Sequence, residues 1–305
     1  MHKIERVLAA IPEAISHAQG QGKTADYIPA LAAVDAKKFG MAVSMPDGRE
    51  AILGDAEERF SIQSISKVFS LSLAMSHAGE DLFRRVGVEP SGTAFNSLSQ
   101  LERENGIPRN PFINAGALVV TDILLDYLDS PKQDYLDFVR QLSGDIDVHY
   151  DDQVYRSEFD HGSRNAALCH YLKCFGNINN DIDRILDCYF HQCSLAMSCL
   201  NLSRAFQFIA HDGIHRAFNK PIVSKLQARR INSLMMTCGT YDEAGEFSFR
   251  VGLPCKSGVG GGIVAIIPRQ MSLCVWSPEL DTKGNSLPGL AALQYFVEHT
   301  GHSVF

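Results

Sequence analysis

Apolar residues recur at helical spacing at the very start of the chain. Ile4, Val7, Leu8, Ile11 and Ile15 fall on one face, with Glu5, Arg6 and Glu13 between them, which predicts an amphipathic helix. The spacing then changes. "MAVSMPDGREAIL" (Met41 to Leu53) sets two β-prone runs around Pro46-Asp47-Gly48 and reads as a hairpin. Near the other end, "GIVAIIPRQMSLCVWSP" gives two more apolar strands around Pro268-Arg269-Gln270, and "FSFRVGLP" before it reads as a further strand. The middle is helical in character. A run from Ser64 through Ile65, Val68, Phe69, Leu71, Leu73 and Ala74 predicts a largely buried helix ending near Gly79. "INAGALVVTDILLDYL" reads as a long apolar helix with Asp122 and Asp126 on its polar side. "NDIDRILDCYFHQCSLAMSCLNLSRAFQFIAHDG" holds two helices, the second ending at Gly213, and "SLPGLAALQYFVEHTG" is a final helix stopped by Gly301.

Strands at both ends and helices between them imply an α+β architecture: an antiparallel sheet built from both chain ends, with a mainly helical middle region. The chain of 305 residues reads as a single domain, 1–305. Its sheet-containing part is approximately 1–65 and 240–305, and its helical part approximately 66–239. No internal repeat or low-complexity linker interrupts it.

Composition narrows the class. Net charge is −7, and no dense Lys/Arg cluster occurs, which argues against a nucleic-acid backbone as partner. No stretch of about 18 apolar residues points to a membrane span. Glu5, Arg6, Pro12 and Glu13 break any export-signal core, so the expected compartment is cytoplasmic. Eight cysteines include five between Cys169 and Cys199, with no CxxC pair, and read as free thiols. Metal binding is the sharper alternative, but Cys169-His170 and His191-Gln192-Cys193 are poorly spaced for it.

Candidate chemistry concentrates in "FSIQSISKVFSLSLA". Ser64 and Lys67 stand three apart at the start of the apolar helix and so share a face. Desolvation and the positive helix end both lower the pKa of a lysine there, and a neutral amine can take the proton of a serine hydroxyl. The Ser64 N–H could also help hold an oxyanion. The bland reading is a helix cap at Ser64 with Lys67 in solvent. Serine hydrolases of this SxxK type need a second, KTG-like segment on a strand. "LPCKSGVGGGIVAIIP" supplies Lys256-Ser257-Gly258 before a strand, and Gly260, Gly261 and Gly262 permit a close backbone approach to a ligand. A flexible glycine turn is the rival. Together the two segments favour a serine acyl-transfer site.

Nearly the whole chain resembles the bacterial glutaminase family, which shares the serine β-lactamase-like fold. The resemblance is carried by "GKTADYIPALA", "FSIQSISKVFSL", "GIPRNPFINAGAL", "VYRSEFDHGSRNAAL", "GTYDEAGEFSFRVGLPCKSGVGGGI" and "SPELDTKGNSLPG". It implies hydrolysis of L-glutamine to L-glutamate and ammonia, with no cofactor and no metal. It implies Ser64 as nucleophile, Lys67 as its activator, Tyr241 as a proton-passing neighbour and Tyr27 near the reacting amide. Asn114, Glu158, Asn165 and Tyr189 would grip the amino-acid end, and the Val259 and Ser64 N–H groups would form the oxyanion hole. A homodimer or homotetramer is also implied.

These residue types suit the substrate. A carboxylate such as Glu158 accepts from an α-ammonium, and amide and phenol groups donate to an α-carboxylate. Cys255, beside Lys256, departs from the small apolar residue expected there, and could make the pocket sensitive to thiol reagents. Two other readings stay open at this stage: another SxxK hydrolase of β-lactamase or peptidase type, and a non-catalytic ligand-binding relative.

Overall fold

The structure, a computed structural model, describes residues 2–215 and 218–305. Five antiparallel strands form its main sheet, in the spatial order Glu50–Gly54, Gly40–Ser44, Met271–Trp276, Gly262–Ile267, Cys255–Ser257. Both expected hairpins are present. Gly40 lies opposite Trp276 and Ser44 opposite Ser272, so the two ends of the chain meet at the centre of the sheet.

The three central strands are buried at every position. Their side chains alternate between two cores. Met41, Val43, Ile263, Ala265, Leu273 and Val275 pack beneath the terminal helices His2–Ala14 and Leu287–Thr300. Ala42, Val264, Ile266, Cys274 and Trp276 face the helical middle region. A sheet covered on both faces needs apolar residues on both, which is why these strands read as nearly unbroken apolar runs. The last helix follows its sequence signals: Ser286 caps it by accepting from the Gly289 N–H, and Gly301 ends it at φ 76°.

Two helices, Ser66–Ala78 and Asn114–Leu125, run through the larger core. The second is buried along its whole length. Two of their polar side chains bond within their own helix: Ser72 Oγ donates to Val68 O (2.7 Å) and Thr121 Oγ1 to Ala117 O (2.9 Å). Asp122 is not on a solvent face as expected. It is fully buried, pairs with Arg85, and accepts from the Asn180 N–H (2.8 Å). A carboxylate survives there because a cation and backbone donors surround it.

The strand expected over "FSFRVGLP" is instead the helix Ala244–Arg250, followed by a short connection to Cys255–Ser257. Phe247 and Val251 are buried four residues apart, whereas Phe249 is 91% exposed. The apparent alternation therefore included a residue that faces water. Between the two expected helices of the Cys-rich segment, the short strand Leu195–Met197 also escaped the reading. It pairs with Phe60–Ser61 and His149–Tyr150 and so anchors the chain just before Ser64.

Candidate active site

The Phe60–Ser61 strand ends in a tight turn. Ile62 donates to Leu195 O (2.9 Å), Gln63 takes a left-handed backbone (φ 49°), and Gln63–Ile65 form one turn of 3-10 helix before Ser66–Ala78 begins. The α-helix thus starts two residues after Ser64, and no side chain caps it. Ser64 instead lies in the turn and lines a cavity of about 550 Å³. N–H groups in a first helical turn have no intrahelical acceptor and stay available to a ligand.

Lys67 points inward, not to solvent; it is 2% exposed. Its Nζ donates to Asn114 Oδ1 (2.7 Å) and Phe112 O (3.2 Å). Burial lowers its pKa to about 8, against the opposing pull of Cys193 and Glu158. Asn114 is the first residue of its helix rather than the cap, and its Nδ2 donates onward to Asn165 Oδ1 (3.0 Å).

The Lys256-Ser257-Gly258 segment packs directly on the Ser64 turn. A Cβ at Gly258 would lie 2.5 Å from Ile62 O and 3.3 Å from Ser64 N, and one at Gly260 would collide with Ser61 O. These glycines therefore admit the protein's own Ile62–Ser64 turn rather than a ligand, and set Val259 beside Ser64. Lys256 is fully buried, donates to Gly239 O (3.0 Å) and Ser257 O (2.6 Å), and lies 4.8 Å from the centroid of the Tyr241 ring. Burial holds its pKa well below the lysine range, and the nearby Lys67 adds to that. Tyr241 has a left-handed backbone (φ 54°), the kind of strain that clusters at functional sites. Its buried phenol has no hydrogen bond of good geometry within the protein. Burial raises its pKa, while the Ser64 hydroxyl and the Val259 backbone bear on it in the other direction.

Of the nine expected site residues, Tyr27, Ser64, Asn114, Glu158, Asn165, Tyr189 and Val259 line the one cavity, with Lys67 and Tyr241 behind its wall. Glu158 and Tyr189 are buried despite their polar groups. Burial raises the Glu158 pKa to about 7, opposed by a hydrogen bond from Gln63 and by Lys67. Tyr27 is half exposed at the cavity, and burial, with Tyr241 and Glu158 adding to it, raises its pKa.

Sequence reasoning missed Gln63 and Cys193 as members of the cavity wall. Adjacency to Ser64 was a signal for Gln63; nothing in the local pattern singled out Cys193. The Cys193 thiol is pushed up to about 12 by burial and by Glu158. Cys255 is also buried, in the core under the terminal helices, and does not line the cavity, so the expected thiol sensitivity at that position has no route. Among the described residues no group of His, Cys, Asp and Glu converges as a metal site, and all eight cysteines are free. No helix among them is long and apolar enough to cross a membrane.

Residues 22–305 match the family model described as Glutaminase. The chain is 55% identical over 303 residues to a glutaminase of Klebsiella pneumoniae subsp. pneumoniae, covering 99% of this chain and 97% of the relative. It is 55% identical over 300 residues to a glutaminase of Salmonella paratyphi B, covering 98% and 97%. Among solved structures, the probable glutaminase ybaS superposes with a TM-score of 0.93 at 32% identity, covering 100% of this chain and 98% of that one. The probable glutaminase from Bacillus subtilis complexed with 6-diazo-5-oxo-L-norleucine gives a TM-score of 0.88 at 31% identity, covering 99% and 96%. These neighbours have a serine β-lactamase-like fold, and this chain shares it. The chain belongs to the glutaminase family and is an amidohydrolase acting on the side-chain amide of L-glutamine.

Proposed function

We propose that hydrolysis runs through a covalent glutamyl intermediate on Ser64, with Lys67 as the base. The observation that carries this is a buried lysine one turn beyond a cavity-lining serine, held by two neutral oxygens and no carboxylate. Neutral partners favour its protonation less than an ion pair would, and burial opposes it. The neutral amine takes the Ser64 proton as Oγ attacks the side-chain carbonyl carbon. The Ser64 and Val259 N–H groups receive the negative oxygen.

Ammonia leaves with a proton returned by Lys67, whose pKa near the working range suits two-way transfer. Tyr241, its pKa raised, stays protonated and donates a hydrogen bond at the reacting centre. Water then cleaves the ester, releasing glutamate and restoring Ser64. Tyr27 closes the cavity mouth near the amide. Glu158 accepts from the α-ammonium, and Tyr189 and Asn165 donate to the α-carboxylate. Asn114 fixes Lys67 and Asn165, and the second Nδ2 hydrogen is left for substrate.

The test uses 6-diazo-5-oxo-L-norleucine, in which a diazoketone replaces the side-chain amide. A nucleophilic Ser64 displaces dinitrogen and forms an ether through Oγ. Peptide mass mapping should find one label per chain, on Ser64. Labelling at another residue, or inactivation with no label on Ser64, would overturn the assignment.

A further inference from the structure

Residues 277–287, between the sheet and the last helix, fold into a closed loop. The Leu287 N–H donates to Glu279 O (2.9 Å), Ser286 Oγ to Ser277 O (2.8 Å) and the Asp281 N–H to Asn285 O (2.8 Å). A loop tied at its ends in this way is a rigid unit. It reaches two separate parts of the active site.

On one side it holds the segment that carries Tyr27. Both oxygens of the buried Glu279 carboxylate accept from the Gly20 N–H (2.9 and 2.8 Å). Lys23 and Leu280 exchange two backbone hydrogen bonds (3.0 and 2.8 Å). Gly22 is pressed against Glu279 so closely that a Cβ would lie 2.8 Å from its carbonyl carbon. No helix or strand spans residues 24–28, so these anchors fix where Tyr27 begins.

On the other side the loop holds Tyr241. The Asn285 side chain, 1% exposed, donates from Nδ2 to Glu243 Oε2 (2.6 Å) and to Thr240 O (3.4 Å), the two flanks of the Tyr241 turn. Gly284 rests on the Tyr241 ring and on Val259: a Cβ there would be 3.6 Å from Tyr241 Cε2 and 3.4 Å from Val259 Cγ1. Leu280 joins Ala25, Ile28, Tyr241 and Val259 in one small apolar cluster. A left-handed tyrosine persists where surrounding contacts over-determine it, and this loop supplies several of them, beside Phe95 and Lys256.

We infer that the Glu279–Asn285 loop is a strut that sets the spacing of Tyr27 and Tyr241 across the cavity, with Glu279 and Asn285 as positioning residues for the glutaminase reaction. The inference rests on the reading of both tyrosines as site residues. Neither strut side chain lines the substrate cavity. Each acts through the tyrosine it anchors.

The test combines kinetics with fluorine NMR of protein carrying 3-fluorotyrosine, the two signals assigned with Tyr27→Phe and Tyr241→Phe. Glu279→Ala should shift the Tyr27 signal and raise KM about tenfold, with kcat within about twofold. Asn285→Ala should shift the Tyr241 signal and lower kcat about tenfold, with KM within about twofold. Glu279→Gln keeps one acceptor oxygen and the side-chain shape, so it serves if the alanine variant does not fold, with the same signal moved by less. Folded variants whose tyrosine signals stay in place, or whose kcat and KM change only in step with lost stability, would overturn the strut. Shifted signals together with a fully active Tyr241→Phe would leave the strut standing and remove the proposed role of Tyr241.

Discussion

The pH dependence of kcat/KM follows from two buried groups. In the proposed mechanism the free enzyme is competent when Lys67 is neutral and Glu158 is ionised. Burial places Lys67 at about 8 and Glu158 at about 7. With those values the competent form is about 0.1% of the enzyme at pH 6 and about half at pH 8, a rise on the order of 500-fold. The sign is the same for both groups, because each must lose a proton, so the log–log slope approaches about two below pH 7. The assay is ammonia release at subsaturating L-glutamine across this range. Glu158→Gln removes one titration: the slope should fall to about one, with a further loss of about 10- to 150-fold from the missing charged hydrogen bond to the α-ammonium. A flat profile between pH 6 and pH 8, or a slope unchanged in Glu158→Gln, would refute the electrostatic reasoning.

Other changes have defined outcomes. Gly258→Ala forces a methyl group against Ile62 O and should abolish most ammonia release by separating Val259 from Ser64, with a stability loss of about 1–3 kcal/mol in urea unfolding. Asp122→Ala removes the buried acceptor shared by Arg85 and the Asn179 and Asn180 N–H groups and should destabilise by about 1–3 kcal/mol, read as a lower urea midpoint with KM unchanged in the remaining folded enzyme. L-Asparagine, one methylene shorter, should be turned over with kcat/KM lower by about 10- to 200-fold, because it cannot reach both Glu158 and the Ser64–Val259 donors.

The hairpins, the terminal helices and the Ser64–Lys67 pair were legible because their signals are local. A Pro-Asp-Gly turn, an i, i+4 apolar stripe and a three-residue spacing each fit within a few positions. What was hidden depends on contacts between distant parts of the chain. The burial of Asp122 depends on Arg85, 37 residues away, and "INAGALVVTDILLDYL" carries no mark of that partner. The helix at Ala244–Arg250 looked like a strand because Phe247, Phe249 and Val251 alternate, and only packing shows which of them faces water. The lysine's side chain could be placed on the serine's face, but its hold on Asn114 needed the fold. The glycines after Lys256 advertised a close approach, and the structure identified what approaches: the Ile62–Ser64 turn. Ser61 and Ser66, the serines on either side of Ser64 in the same stretch, differ from each other. Ser61 Oγ donates to Cys193 O (2.9 Å) and accepts from Gln63 Nε2 (3.0 Å), so it supports the site, whereas Ser66 is a fully buried helix residue.

The central claim is that Ser64 carries the glutamyl group. Ammonia release from L-glutamine by folded Ser64→Ala, measured beside wild type and Ser66→Ala, tests it most directly. The account predicts that Ser64→Ala loses activity by about a thousandfold or more while Ser66→Ala stays within about tenfold of wild type. Near-normal turnover by Ser64→Ala would contradict it.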